Sequence, residues 1–99
     1  VAKRRKANGT FWLNKQNQLH RKGGPAAVTN SGSKYWFLNG KKHNPEGAAI
    51  VLADGTKMWL MHDQLHRLDG PAVKGPNVEE YWVEDKQYTK EEFYQKYPA

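Results

Sequence analysis

Trp59-Leu60-Met61-His62-Asp63-Gln64-Leu65-His66-Arg67-Leu68-Asp69-Gly70-Pro71-Ala72 decides the fold, because its frame is written three times in the chain. The frame is Trp, six residues, then His-Arg-x-Asp-Gly-Pro-Ala. A degenerate copy runs from Trp36 through His43-Asn44-Pro45-Glu46-Gly47-Ala48-Ala49. Another, with one residue inserted, runs from Trp12 through His20-Arg21-Lys22-Gly23-Gly24-Pro25-Ala26. Trp12, Trp36, Trp59 and Trp82 are separated by 24, 23 and 23 residues, and His20, His43 and His66 by 23 each time. Thr89 stands where the next His would fall. A fixed period of this length marks stacked copies of one supersecondary unit.

Each unit reads as strand, turn, strand, turn. The first strand surrounds Trp: Phe11-Trp12-Leu13, Tyr35-Trp36-Phe37-Leu38, Met58-Trp59-Leu60-Met61 and Tyr81-Trp82-Val83. Aromatic and β-branched residues suit a pleated, half-buried surface. Asn39-Gly40 is a two-residue hairpin turn by its chemistry. A short second strand follows the Gly-Pro-Ala element, over Ala26–Thr29, Ala48–Leu52 and Ala72–Lys74. Gly24, Gly47 and Gly70 are placed where the chain needs positive φ or a close backbone approach, and Pro25 and Pro71 fix φ just after.

Both ends depart from the unit. Thr89-Lys90-Glu91-Glu92 is a capping box, and Phe93 and Tyr97 lie four apart on one helical face. The spacing predicts a short helix folded over the last hairpin, covering an open sheet end. Residues 1–8, with Lys3, Arg4, Arg5 and Lys6, read as a flexible basic arm. The expected architecture is therefore mainly β: an antiparallel sheet of about four tandem ~23-residue hairpin repeats, seven or eight short strands in all, with a C-terminal capping helix. The units are 9–31, 32–54, 55–77 and 78–88, making up 9–88; the cap is 89–99.

The Trp-x(6)-His-Arg-x-Asp-Gly-Pro-Ala frame resembles the MORN-like hairpin repeats of small proteins from large tailed bacteriophages and giant viruses. The resemblance covers about residues 9–88 and is specific for architecture. Such repeats serve as scaffolds and binding surfaces with no shared chemistry. It implies a phage-encoded accessory protein acting in a host cell. The second copy departs from the frame at Asn44, Pro45 and Ala48, so one uniform role for the Arg, Asp and Pro positions does not follow.

Charge narrows the function further. The 99 residues carry a net charge of +6 and no Cys. Residues 1–45 hold no acid and ten cations: Lys3, Arg4, Arg5, Lys6, Lys15, Arg21, Lys22, Lys34, Lys41 and Lys42. Residues 46–99 hold all ten acids against six cations, a balance of −4. The chain is electrically polar from end to end, which bears on partners rather than fold. Without Cys there is neither a disulfide framework nor a thiolate metal site, and the reducing cytoplasm is the expected compartment. No apolar run has membrane-span length. Lys3-Arg4-Arg5-Lys6 is followed by Ala7-Asn8-Gly9, which is not a signal-peptide pattern.

Catalysis is not expected. Ser31 and Ser33 sit in an inter-repeat turn with no His–acid partner at a fixed spacing. The first half has no carboxylate for acid–base work, and there is no Gly-rich phosphate loop ahead of a helix. Three evenly spaced His suggest a metal. Yet equivalent positions two strands apart lie roughly 10 Å apart, too far for bonds of about 2 Å. His20, His43 and His66 read as structural, and His62, Asp63 and His66 as a solvated turn. No cofactor and no metal are expected.

Binding remains. Trp12, Trp36, Trp59 and Trp82 either form the ladder core or present an aromatic docking face. The ten cations of the first half point to a partner with an acidic surface. The first reading is a non-enzymatic module docking on a host protein or nucleoprotein assembly. The second is a DNA- or RNA-binding protein driven by phosphate contacts. The third is head-to-tail self-association of basic on acidic ends.

Overall fold

A computed structural model describes residues 2–98 of the chain. Thirteen strands and one helix follow in order among the described residues: β1 (Ala2–Lys6), β2 (Gly9–Leu13), β3 (Ala27–Thr29), β4 (Lys34–Tyr35), β5 (Phe37–Leu38), β6 (Lys41–Lys42), β7 (Ile50–Val51), β8 (Lys57–Met58), β9 (Leu60–Met61), β10 (Gln64–Leu65), β11 (Val73–Gly75), β12 (Val78–Val83), β13 (Lys86–Tyr88) and α1 (Lys90–Lys96). Nine of them form one antiparallel sheet in the order β1-β2-β3-β4-β7-β8-β11-β12-β13, and β5–β6 and β9–β10 are two-stranded hairpins beside it. The chain is mainly β, in antiparallel hairpins, with one short C-terminal helix. Nine strands about 4.8 Å apart span roughly 38 Å, which accounts for most of the 45 Å long axis.

The strands outnumber the seven or eight expected because the middle Trp-centred segments break at the Trp, their side hairpins add the return strands β6 and β10, and residues 2–6 form β1. Trp36 donates its N–H to the Ala49 carbonyl (2.7 Å) in the main sheet, while its carbonyl accepts from His43 N–H (3.0 Å) in the side hairpin. Trp59 does the same with Ala72 (2.7 Å) and His66 (3.0 Å), and Trp12 with Ala26 (2.8 Å) and His20 (2.9 Å). At Trp36 and Trp59 the N–H and the carbonyl serve different hairpins, so the chain turns out of the main sheet there, whereas β2 runs on through Trp12 to Leu13 beside β1. The strict face alternation expected through Tyr35-Trp36-Phe37-Leu38 ends at the same point.

The core also differs from a Trp ladder. Trp12, Trp36, Trp59 and Trp82 are all half-buried. The fully buried column is alanine, with Ala26, Ala49 and Ala72 at 0% exposure, each accepting a Trp N–H. Around Ala49 pack Ile50 and Leu60, with Tyr35, Trp36 and Leu65 against them. A second cluster of Tyr81, Val83 and Phe93 lies under α1. Phe93 is at 0% exposure, and burying such a ring contributes about 2–3 kcal/mol. The capping box is complete: Thr89 Oγ1 accepts from Glu92 N–H (3.1 Å), and Glu92 Oε1 from Thr89 N–H (2.9 Å).

The segment expected as a flexible arm is strand β1. It pairs with β2 along its whole length, from Ala2 opposite Leu13 to Lys6 opposite Gly9. Asn30 fixes the intervening turn, donating its backbone N–H to Asn8 (3.1 Å) and its side-chain amide to the Ala7 carbonyl. Four like charges in a row suggested solvation. As a strand they alternate between two faces, which halves their crowding.

Successive units are locked by a recurring set of bonds. Asn39-Gly40, His62-Asp63 and Glu84-Asp85 occupy the same turn, all six residues with φ between 49° and 81°. This is the pattern of a type I′ hairpin turn. The N–H groups of Asn39, His62 and Glu84 donate to Nδ1 of His20, His43 and His66 of the preceding unit at 2.9, 3.2 and 3.1 Å. The next N–H groups, of Gly40, Asp63 and Asp85, donate to the carbonyls of Leu19, Lys42 and Leu65 at 2.9 Å each. Asp63 and Asp85 return the bond, accepting N–H from Lys42 and Leu65 at 2.7 Å. The turn after β2 takes no such imidazole bond among the described residues. Asn14 closes it internally, its Oδ1 accepting the N–H groups of Gln16 and Gln18 at 3.0 Å.

Candidate functional site

The sheet order converts the charge asymmetry of the sequence into a spatial one. β1 is one edge of the main sheet and β13 the other. Every residue of β1 is exposed, and Lys3, Arg4, Arg5 and Lys6 form no ion pair among the described residues. Register places Lys3 opposite Trp12 and Arg5 opposite Thr10, with Arg4 opposite Phe11 on the other face. Both faces of this edge therefore carry cations beside an aromatic ring. Lys3 Nζ lies 5.6 Å from the Trp12 ring centre. At the far end, Glu79, Glu80, Glu84, Asp85, Glu91 and Glu92 cluster in sequence around β12, β13 and α1.

The remaining predicted cations are not one surface. Arg21 is committed locally: its guanidinium stacks on Trp12 at 4.0 Å and Nη1 donates to the Pro25 carbonyl (3.2 Å). Lys15 and Lys22 are exposed in loops and Lys34 is exposed in β4. Lys41 and Lys42 lie in a side hairpin. Lys42 Nζ sits 3.9 Å from Asp63 and 5.8 Å from the Phe37 ring centre. What the structure brings together is β1, Trp12 and Arg21.

Arg67 was absent from the sequence-based set of binding cations, yet it repeats the Arg21 arrangement. Its guanidinium stacks on Trp59 at 3.8 Å, Nη1 reaches the Pro71 carbonyl (3.0 Å) and Nε reaches Asp69 (2.9 Å). The glycine of the frame makes room for it. A Cβ on Gly70 would lie 3.0 Å from the Arg67 guanidinium carbon, and one on Gly24 would lie 3.0 Å from that of Arg21. Neither glycine has positive φ. Close approach, by a side chain rather than by backbone, is the reason for both. The signal for this stack was the aligned Trp, Arg and Gly of the first and third copies.

The histidines are structural in geometry. His20, His43 and His66 spend Nδ1 on the next unit's turn, which leaves that nitrogen unable to ligate a metal. His43 is buried and stacks on His62 with ring centres 4.3 Å apart. Burial, and secondarily the charge of His62, hold the His43 imidazole below its ordinary pKa. Asp63 is occupied by Lys42. Among the described residues, no three His, Asp or Glu side chains come together as a possible metal site. No helix is long and apolar enough to cross a membrane.

Compared with protein-family models, curated proteins and solved structures, the chain matches none.

Proposed function

We propose that this chain is a non-enzymatic binding module that docks the β1 edge of its sheet on an acidic surface of a partner. The resemblance of its repeat to MORN-like units supports a phage-encoded accessory role, acting in the host cytoplasm on a host protein or nucleoprotein assembly. The observation that carries the reading is β1 itself, a fully exposed edge strand whose four cations form no ion pair among the described residues. An edge strand offers unpaired N–H and C=O groups to an incoming strand, and cationic side chains on it discourage pairing with its own kind. An acidic extended segment satisfies both the backbone and the charges.

Phosphate-driven binding of DNA or RNA is the second reading, favoured by the Lys3 and Arg21 cations over Trp12. Stacked bases with a neutralised backbone need that combination. Self-association of β1 on the acidic far end is the third, favoured by their places at opposite ends of the sheet.

A bacterial-lysate pull-down with and without nuclease separates the first two. The control bait is a variant with Lys3, Arg4, Arg5 and Lys6 replaced by Gln. A protein retained after nuclease by the parent and lost by the variant is the expected result. Loss of all bound material after nuclease moves the assignment to nucleic acid. In that case four phosphate contacts give a log–log salt slope of about −3.6 on duplex DNA. Mass that rises with concentration, without any partner, identifies self-association. Equal retention by both baits removes β1 from the interface.

A further inference from the structure

The register of the nine-stranded sheet gathers cations that the sequence scatters. Residues directly opposite each other in an antiparallel pair share a face. Lys57 lies opposite both Lys74 and Val51, and Lys34 lies opposite both Val51 and Val28. Val28 in turn lies opposite Thr10, and Thr10 opposite Arg5. Arg5, Lys34, Lys57 and Lys74 therefore stand in one row, with no acid between them from β1 to β11. The alternate row, through Ala27, Ile50 and Val73, is buried and turns to the core. Six strand spacings of about 4.8 Å make the cationic row roughly 29 Å long. Two of its members, Lys57 and Lys74, come from the half of the chain that is net acidic.

Indole rings flank the row on the same face. Trp12, Trp36 and Trp59 stand two residues beyond Thr10, Lys34 and Lys57, which returns each to that face. Lys57, Lys74, Trp59 and Arg67 border one cavity of about 470 Å³. Arg67 covers the Trp59 ring and Arg21 the Trp12 ring, whereas no cation covers Trp36 among the described residues. The cavity beside Trp36, of about 350 Å³, is bordered by Arg21 and Lys22 and by one acid, Glu46. Lys34, Lys57 and Lys74 are exposed and form no ion pair among the described residues. Lys57 and Lys74 are like charges directly opposed, which costs stability until an anion lies between them. The nearby acids are engaged elsewhere. Asp54 accepts the Thr56 N–H (2.8 Å), Asp69 holds Arg67, and Glu79, opposite Lys74, accepts the Tyr81 hydroxyl (2.7 Å). The face closes at its acidic end. Lys74 pairs with Glu79 where the 23-residue period calls for Glu80, so the last unit is out by one residue. Trp82 leaves the row, and Tyr81 fills its place against Phe93 of α1, with ring centres 4.9 Å apart.

We propose that this outward face binds single-stranded nucleic acid, with phosphates along Lys34, Lys57 and Lys74 and a base on the open Trp36 ring. The face is separate from the edge that β1 offers to an incoming strand, because these lysines lie in the fourth, sixth and seventh strands of the sheet. Bases stack on indole rings and on guanidinium planes alike, so Arg21 over Trp12 and Arg67 over Trp59 extend the platform. A duplex keeps its bases stacked on one another and leaves Trp36 without a partner. The indoles are half-buried and do not project as membrane-inserting side chains do.

The test uses the intact protein and a labelled oligo-dT of about ten nucleotides, within the site sizes of single-strand binders. Anisotropy gives the affinity over a salt series. The indole N–H signals in ¹H–¹⁵N spectra, assigned with single Trp→Phe variants, report where the strand lies. The expected result is saturable binding that shifts the Trp36 and Trp59 signals and leaves Trp82, off the face, in place. Joint Lys34→Gln, Lys57→Gln and Lys74→Gln substitution weakens binding and makes the log–log salt slope shallower by about two, at about 0.7 per single-strand phosphate contact. Lys57→Glu pairs with Lys74 across the strands, so it holds the fold while reversing the charge, and it weakens binding more than Lys57→Gln. The triple variant still retains the protein that β1 captures after nuclease, so failure here is distinct from failure of the β1 reading. A triple variant with the parent's salt slope overturns the proposal, as does a Trp82 shift equal to that of Trp36. A duplex of the same length that binds as tightly also overturns it. Co-sedimentation with phosphatidylserine vesicles, lost in the triple variant and without oligonucleotide binding, assigns the face to a membrane and overturns it too.

Discussion

Gly70→Ala and Gly47→Ala are the same substitution at aligned positions, and they are expected to change stability in opposite directions. At Gly70 the new methyl meets the Arg67 guanidinium at 3.0–3.3 Å, so the guanidinium must give by a few tenths of an ångström and loosen its hold on the Trp59 ring. At most this forfeits a cation–π contact of about 1 kcal/mol and a charge-assisted bond to the Pro71 carbonyl of about 1.5 kcal/mol. The Arg67–Asp69 pair adds little, because the Asp69 side chain is 86% exposed. Alanine returns about 0.5–1 kcal/mol by restricting the unfolded chain. The net is a loss of up to about 1.5–2 kcal/mol. At Gly47 the nearest atom stands at an ordinary 3.7 Å, so only the unfolded-state gain of about 0.4–1 kcal/mol remains. In urea melts followed by Trp fluorescence the midpoints should move apart. Thermal midpoints should separate by roughly 4–8 °C per kcal/mol for a domain of this size. In an Arg67→Met background Gly70→Ala should lose its penalty. Shifts of the same sign at both glycines, or an undiminished penalty in that background, would falsify the steric account of the Arg–Gly–Trp stack.

Acidification should weaken the fold through His43. Its folded pKa lies below the ordinary value, so the unfolded chain takes up the proton first. The His43 contribution is full above the unfolded pKa and is lost as pH falls through about 6.5 toward the depressed folded value. Urea melts at pH 7.5 and 5.5 should show this drop, and His43→Asn should flatten that part of the slope; an unchanged slope counts against it. Glu84→Asn should raise stability by about 0.5–1 kcal/mol, since Glu84 has φ 49° and Asn tolerates that region better. A chemical-denaturation midpoint that does not rise would mean that the turn is not strained. His66→Phe should cost about 1 kcal/mol by removing the acceptor for the Glu84 N–H, read as faster amide exchange at Glu84 as well as a lower midpoint.

The periodic Trp and His, the Asn39-Gly40 turn and the Thr89–Glu92 capping box were legible because each acts within a few residues of chain. His62-Asp63 read as a solvated turn, but its positive φ, like that of Glu84-Asp85, was not legible. Neither pair favours positive φ by itself; the preceding unit's imidazole and carbonyl impose it. Arg21 read as a free cation, since nothing local announces that Trp12 and Gly24 hold it. Lys3-Arg4-Arg5-Lys6 read as an arm because its run of charge masked the hairpin that it forms with the adjacent β2, whose turn Asn30 ties down. In the candidate site the residue types were legible and their allegiances were not. Four cations of ten became the exposed edge strand, and the rest are spread over loops, β4 and the side hairpin.

The imidazole-to-turn bonds run one way along the chain. Each unit offers an acceptor nitrogen and a carbonyl, and the unit after it must bring the strained turn that uses them. The first turn, closed by Asn14, needs no predecessor. In the last unit Thr89 replaces the histidine and caps α1, so the imidazole acceptor is not repeated there. A chain leaving the ribosome from its N-terminus thus exposes every template before the segment that settles on it. The interlock is directional, each unit's turn resting on the unit before it.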